Sequence, residues 1–519
     1  MCGLTMLTIL AAAVCCAVGH AVGSSDAPAF AVVQFQLPAF APQTFDATKA
    51  DTFDLLPAGD LERTPRDYLA VTATVTTQGI SRAALRVVDI LNREYDGEMV
   101  KLARGEKTQV SLDIPKAAGH PLAMLRAVKL ILKGQPVEVL GLRFACAVEK
   151  LPQPDAVVSG TMDDTSIQAA LDSLPDTGGV LYIPAGTYAI ANTVTIPSGN
   201  VTIYGDGPRT VLHGTWDGAE KLIVAENAEN LRLTRLHVRS LGDDDCRTHE
   251  AFVSTRPERR HPSSVLKIGI ELRGCTNARV DHCEVELFGN VGIMFEGGTD
   301  NLVDHCFVHD YFPYGTGYGI GARGTARIYI EDNNVENHRH NITTYKGCER
   351  SFVRFNRLVK DPYVVPEWYD DPKSITYLSS YPVNAHPDCG WVCVNDNYIA
   401  MTTGLMWSAA EMRGNSGWLY RNLIRACTIG IMCRDTSTAV WAWDNTFIAA
   451  TQEYGSSASG DIHFNQQPPD FTETPYPYAL SRMGWWPGAN QAGLSLVKPS
   501  TQFAGPQDAP ALTAPASAE

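Results

Sequence analysis

The sequence lacks a basic surplus. Lys and Arg number 42 against 57 Asp and Glu, and the formal net charge is −15. A phosphate-binding surface announces itself as a basic domain, so nucleic acid is not an expected partner, although a local basic groove remains compatible with this balance. Charged residues make up only 19% and the hydrophobic set 45%, which excludes a disordered chain. No apolar run beyond residue 23 is long enough to span a bilayer. The one candidate, LTMLTILAAAVCCAV, is too short to span stably and is followed by the small residues of HAVGSS. It has the pattern of a signal peptide over residues 1–23, without the usual Lys or Arg ahead of it. Lipidation at Cys15 or Cys16 is the weaker alternative, because Val14 and Cys15 are bulkier than the small residue normally found there. A secreted or periplasmic location is the expectation.

Past that segment ten cysteines remain: Cys146, Cys246, Cys275, Cys283, Cys306, Cys348, Cys389, Cys393, Cys427 and Cys433. Export permits disulfides among them. No second pair accompanies Cys389 and Cys393 at ligand spacing, so cysteine offers no metal site.

With 519 residues the chain is too long for one ordinary core, and two or three folding units or a long repeat array are expected. Residues 30–148 hold short alternating segments (FAVVQFQL, YLAVTATVTT, ALRVVDIL, TQVSLDI, AVKLIL, VEVLGLRFA) separated by turn residues. That pattern predicts an antiparallel β-sandwich domain, either glycan-docking or purely structural. A Pro-containing linker covers 149–158. The segment DDTSIQAALDSL then carries apolar residues at helical spacing behind an Asp/Thr start.

From 159 to 464 the chain repeats. ARVDHCEV, NLVDHCFV, YIEDNNV, FVRFNRL, CVNDNYI, LYRNLI and AWDNTF align Cys283, Cys306, Asn333, Asn356, Asn397, Asn422 and Asn445 in one column. Their separations are 23, 27, 23, 41, 25 and 23 residues, one solenoid coil each, some with an inserted loop. Stacked amides bonding up and down such a column would satisfy the turn backbone. A second motif, Gly269-Ile270, Gly292-Ile293, Gly319-Ile320, Asn341-Ile342, Gly404-Leu405 and Gly430-Ile431, precedes those strands. Its apolar member and the residue two beyond it, among them Leu272, Phe295 and Trp407, are expected to point inward. Its Gly/Asn member is expected outward, as are the residues two and four beyond that. Residues 465–519 read as an irregular, disordered tail.

Helix, glycines and proline also come in a recognisable order here. DDTSIQAALDSL followed by GGVLYIPAGTYAIANTVTIPSGNVTIYGDG resembles the opening of pectate-lyase-like right-handed parallel β-helix proteins. The resemblance, over about 160–450, implies an all-β chain: a right-handed parallel β-helix behind the N-terminal sandwich. It also implies an exported polysaccharide-degrading enzyme with a groove along the coils. The paired-aspartate and glycine-histidine motifs of hydrolases on this fold are absent from matching places, and so is the Asp-lined Ca²⁺ site of true pectate lyases. The sequence looks more like a β-helix group with an Asn-x-Arg-His coil (Asn337, Arg339, His340) followed by a His/Asp pair (His386, Asp388).

The outward column four residues beyond the motif reads Arg273, Glu296, Arg323, Tyr345, His386, Ser408 and Arg434. A second column two residues before it reads Lys267, Asn290, Gly317 and Arg339. An outward charge on a β-helix is ordinarily just solvated. Here acid, base and phenol share one line, which points to a substrate groove. Arg339, His340, Tyr345 and His386 are the candidate catalytic residues. Arg273, Glu296, Arg323, Lys346, Asp388, Trp368 and Tyr369 are the candidate substrate-binding residues, the last two in an aromatic loop over 362–381. A cationic cluster in an acidic chain points to an anionic polysaccharide. β-Elimination from a uronate polymer is favoured, with Arg339, Arg323 and Lys346 as neutralisers and His386, His340 or Tyr345 as acid and base. Hydrolysis would need a carboxyl pair from Glu296, Asp310, Asp388 and Glu411. A glycan-binding surface protein without catalysis is the third reading. No cofactor is required, with Ca²⁺ a candidate at the acidic loop 241–262. Asn200-Val-Thr and Asn341-Ile-Thr match the glycosylation triplet, which matters in a eukaryotic secretory route.

Overall fold

A computed structural model describes residues 30–36, 40–56, 61, 65–114, 116–117, 120–197, 199–215, 218–240, 267–310, 317–360, 381–401, 408–413, 416–435, 439–457, 460–469 and 471. The chain divides into two units, Met1–Leu151 and Pro152–Glu519. In the first, Phe30–Gln36, Gln43–Phe45, Asp67–Thr77, Thr108–Asp113 and Val137–Glu149 form one antiparallel sheet. Thr52–Leu56, Ser81–Asp89, Glu94–Asp96, Val100–Leu102 and Leu125–Gly134 form another. Period-two patterning builds it: Val71, Ala73 and Val75 are buried while Thr72 and Thr74 between them are not. Val71, Val75 and Phe144 of one sheet share a core with Leu85, Val87 and Leu130 of the other. This is a sandwich.

In the second unit, helix Asp164–Asp172 starts on Asp163, whose carboxylate accepts from the Ser166 N–H at 2.9 Å. Ile167 and Leu171 of this helix enter the core of the solenoid. The strands that follow stack into three parallel sheets. The first has 12 strands, from Ala156–Val157 to Asp461–Phe464. The second and third have 10 each, from Gly186–Ile190 to Thr446–Ile448 and from Val194–Ile196 to Gln452–Ser456. Each strand pairs in parallel with its equivalent one coil on, giving a parallel β-helix of about ten turns. Inward Ile, Val and Leu side chains form one continuous core.

The corner between the first and second sheets explains the repeating column. His282, His305, Asp332, Phe355, Asp396, Arg421 and Asp444 each turn the chain in the left-handed conformation, at φ of 52 to 56°. Such a residue costs energy and turns backbone groups into the interior. The next residue satisfies them. Asn356, Asn397 and Asn422 each donate Nδ2 to the Oδ1 of the next asparagine, at 3.0, 3.0 and 2.9 Å. The same oxygens accept the backbone N–H groups of Asn356, Asn397 and Asn422 at 2.9, 3.1 and 3.1 Å.

The start of each third-sheet strand departs from strict alternation. A Cβ on Gly269 would lie 2.9 Å from the Phe288 ring, and one on Gly319 would lie 2.7 Å from the Val335 side chain, both inside the solenoid. The Gly position therefore faces inward together with the Ile after it, which corrects its expected outward orientation. Asn341 takes the glycine place and donates to the Val335 and Val359 carbonyls at 2.6 and 3.2 Å. Buried in this way, it is closed to glycosylation. The kink brings the preceding residue outward: Ile268, Val291 and Tyr318 pack with Met294 and Tyr345 on the outer face.

Candidate active site

The outer faces of the first two sheets are largely occupied by their own side chains. On the first, Arg232 and Arg279 hold Asp281 and Asp304 in buried two-point ion pairs. Trp418, Tyr420 and Trp443 pack on Phe471. On the second, His309 sits between Glu284 at 3.2 Å and Asp310 at 3.1 Å, and His237 bonds Glu286 at 2.9 Å. Ligand atoms of Glu286, His309 and Asp310 lie within 4.8 Å of one another. Burial opposes charge on His309, yet its bonds to Asp310 and Glu284 outweigh that and raise its pKa to about 10. A protonated imidazole between carboxylates is an ion pair, and Ca²⁺ would want six or more oxygens, so this set fits a cation site poorly. The acidic loop named above as the Ca²⁺ candidate lies outside the described residues.

The third sheet is different. Its ladder runs Arg273, Glu296, Arg323 and Tyr345, and the pairing of 342–344 with 383–385 places His386 next to Tyr345. The pairing of 383–385 with 410–412 then puts Arg413 beside His386, with Arg434 beyond it. Ser408 was expected in this column and is not there; it pairs with Ile429, five residues earlier, in the column that Tyr318 and His340 share. The cause is a slipped register. In this coil Ala409 and Ala410 hold the motif positions, five residues beyond Gly404 and Leu405, and those two lie outside the described residues together with Trp407. Lys267 also leaves the outward set: it is fully buried, with Nζ bonded to the Gly218 and Ala219 carbonyls.

Five rings meet at the centre of this face. Tyr318 lies 5.0 Å from His340, 6.0 Å from Tyr345 and 6.4 Å from His386, centroid to centroid. His386 meets Tyr345 and His340 edge-on at 5.9 Å each, and Tyr381 stacks on His340 at 5.8 Å with planes 8° apart. The side chain of His340 is almost wholly buried, and its Nδ1 lies 3.1 Å from the Tyr381 carbonyl. Burial, then the charges of Arg339 and Lys360, hold it well below the usual histidine range. His386 is half-buried, and its Nε2 is enclosed with no hydrogen-bond partner among the described residues. Burial first, then Arg413 and Arg339, lower its pKa to about 4. Burial pushes the Tyr345 phenol upward. At neutral pH the face thus presents a neutral imidazole able to accept a proton beside a neutral phenol able to give one.

Cations frame the rings. Arg339 is half-buried, and its carbonyl accepts from Lys360 Nζ at 3.2 Å. Lys360 is itself buried at the end of strand Arg357–Lys360, where burial, then Arg339, lower its pKa to about 7. The carboxylates of the face are engaged. Glu296 lies 3.7 Å from Arg273 and 3.5 Å from Arg323, and Glu411 is buried against Arg434 at 2.9 Å and Asn384 at 2.8 Å. Burial raises the Glu411 carboxyl above its ordinary pKa.

Of the expected residues, Arg339, His340, Tyr345 and His386 converge, with Arg323, Glu296 and Arg273 continuing the line. Lys346 and Asp388 do not join them. Both lie exposed in the corner that follows the strand, at φ of 20 and 66°, where Gly347 N–H meets the Asp388 carbonyl at 2.8 Å. Trp368 and Tyr369 lie outside the described residues. Sequence reasoning missed Tyr318, Tyr381, Lys360 and Arg413, and named Glu411 only as a candidate carboxyl for hydrolysis. Tyr318 and His340 are ladder partners, so a column read one residue before the Gly-Ile motif would have found Tyr318.

Three stacked parallel sheets and an asparagine ladder define a solenoid of the pectate-lyase-like β-helix type. Residues 155–357 match the family described as rhamnogalacturonase A/epimerase, pectate lyase-like. No curated protein matches the chain. Similar solved structures include the enzymatically active domain of tailspike protein 2 from bacteriophage CBA120, at 11% identity and TM-score 0.41. It aligns over 62% of this chain and 47% of its own, so this chain spans about half its length. An alginate lyase from Paenibacillus sp. aligns at 12% identity and TM-score 0.32, over 57% of this chain and 99% of its own. A lacto-N-biosidase from Eubacterium ramulus aligns at 13% identity and TM-score 0.38, over 57% and 64%. These likenesses concern the fold and say nothing of a reaction.

Proposed function

We propose that the outer face of the third sheet binds an anionic, uronate-containing polysaccharide and cleaves it by β-elimination, in a chain that acts outside the cytoplasm. The observation that carries this is the neutral His386 beside the protonated Tyr345, framed by Arg339, Arg323 and Arg413, on a face whose carboxylates are already ion-paired. In this reading Arg339 and Arg413 neutralise the substrate carboxylate, so that removal of the C5 proton leaves a stabilised carbanion. The His386 imidazole takes that proton, and the Tyr345 hydroxyl protonates the glycosidic oxygen as it departs. His340 and Tyr318 form the floor that orients both. Hydrolysis would require two carboxyls at a set separation. Glu411 supplies one carboxyl, raised above its ordinary pKa by burial, but among the described residues its near neighbours on this face are Arg434, Asn384 and Tyr381 rather than a second acid.

The test is a panel of purified acidic polysaccharides with and without chelator. Unsaturated product, seen by its ultraviolet absorbance, is expected on at least one uronate polymer. New reducing ends without that absorbance would make the chain a hydrolase, and binding with neither would make it a glycan-binding protein.

A further inference from the structure

The corner that follows the third-sheet strands stacks one thiol on another. Gly347 donates its N–H to the Asp388 carbonyl at 2.8 Å and Gly390 donates to the Cys348 carbonyl at 2.6 Å, which makes residues 348 and 389 neighbours on successive coils. Equivalent positions on adjacent strands stand about 4.7–4.9 Å apart. A disulfide spans Cα separations of roughly 4.4–6.8 Å. Both side chains are buried, and the Cys348 thiol donates to the Tyr345 carbonyl at 3.4 Å. Each cysteine comes three residues after a ring of the site, Cys348 after Tyr345 and Cys389 after His386.

We propose that Cys348 and Cys389 are joined by a disulfide that clamps the coil of Tyr345 to the coil of His386. The register already sets the two residues at a spacing that a disulfide spans, so closing the bond asks for a turn of the side chains and no rearrangement of the coils. A small-molecule disulfide such as oxidised glutathione supplies the oxidant. The Cys348 thiolate attacks one of its sulfurs and releases the first glutathione as thiolate, leaving a mixed disulfide. Cys389, deprotonated, attacks Sγ of Cys348 and releases the second. The two cysteine protons end on the two glutathione thiolates: two protein thiols are oxidised and one disulfide is reduced. Cys348 suits the first attack, because the thiol of Cys389 and backbone groups around it hold its own thiol below the ordinary range. Cys283 and Cys306 also stack, but there each thiol donates to two backbone carbonyls inside the core.

The full chain, produced in an oxidising secretory host, is alkylated under denaturing conditions and digested without reduction for mass spectrometry. The expected product is one linked species joining the Cys348 and Cys389 peptides, lighter by two hydrogens than their sum, with Cys283 and Cys306 alkylated. Alkylation of both Cys348 and Cys389, or linkage of either to another cysteine, would overturn the proposal. The disulfide-bearing chain should also melt at a higher temperature than the same chain made in a reducing cytosol. Equal melting temperatures would overturn the clamp.

Discussion

Replacing Asn397 by Ala tests whether the ladder sets the coil. The side chain is fully buried at the middle of the column. Its Nδ2 donates to the Val353 and Asn395 carbonyls and to Asn422 Oδ1, at 2.8, 3.0 and 3.0 Å. Its Oδ1 accepts both the backbone N–H and the Nδ2 of Asn356, at 2.9 and 3.0 Å. After truncation, Asn422 Oδ1 still accepts from the Asn397 N–H and Asn356 Nδ2 still donates to the Ile330 carbonyl. The Asn356 N–H, however, loses the acceptor it has here. An orphaned buried donor costs about 1–3 kcal/mol, and each net hydrogen bond lost adds roughly 1 kcal/mol, so a destabilisation of about 3–5 kcal/mol is expected. Asn445→Ala is the control. That residue is half-buried at the end of the ladder; its Oδ1 accepts the N–H and Nδ2 of Asn422 at 3.1 and 2.9 Å and its Nδ2 donates to the Leu419 carbonyl, but water can reach this end and replace what it gives, so a smaller loss of about 1 kcal/mol is expected. Urea unfolding of the full chain, followed by tryptophan fluorescence, measures both. Equal losses, or less than about 1 kcal/mol at Asn397, would refute the view that these amides carry the corner.

His386→Ala and Arg339→Ala should each lower turnover on a responsive polymer by about 10²-fold or more, the usual scale for a lost base or charge stabiliser, with circular dichroism unchanged. Wild-type activity in both would remove this face from the chemistry. Because His386 has its pKa lowered to about 4, its basic form persists well below the ordinary histidine range. Turnover should therefore hold through pH 6 and fall only as pH drops through about 4. An acid limb near the ordinary histidine pKa of about 6.5 would show that another group is the base. His309, raised to about 10, contributes stability that is fully present below the unfolded pKa of about 6.5 and is lost as pH rises through about 10. The melting-temperature gap between wild type and His309→Gln should accordingly shrink over that window, and a constant gap would mean the imidazole is not the cation drawn here.

The fold was legible because its most expensive feature leaves a mark at every coil. A left-handed corner needs an inward hydrogen-bonding side chain directly after it, so Cys283, Cys306 and five asparagines recur at coil spacing, insertions notwithstanding. The motif of the third sheet was legible in position but not in direction. Strict alternation predicts that Gly269 points out, whereas the strand kinks there and turns two consecutive residues inward. Glycine at 269, 292 and 319, alanine at 409 and an asparagine that feeds two carbonyls at 341 hold that inner position. Nothing in a period-two reading signals the kink, and so Tyr318 was not found.

The line from Arg273 through His386 could be read from the sequence because parallel stacking turns a repeat offset into a distance: one coil on is one ladder step away. The same rule explains where the reading failed. It requires the offset to be right in each coil, and where alanines replaced the usual Gly-Ile pair the count slipped by five, losing Arg413 from the line. Charge and protonation lay further out of reach. That Glu411 is tied to Arg434, and that His386 is neutral because it is half-buried near Arg413 and Arg339, depends on side chains from separate coils. An arginine column by itself does not distinguish a solvated edge from a binding face. The distinction comes from the company it keeps: Glu296 balances Arg273 and Arg323, and Asp435 pairs with Arg413 at 2.9 Å, yet Arg413 and Arg339 still act on His386 and help keep its imidazole uncharged, and a face that suppresses its own proton uptake suits the anionic ligand proposed above.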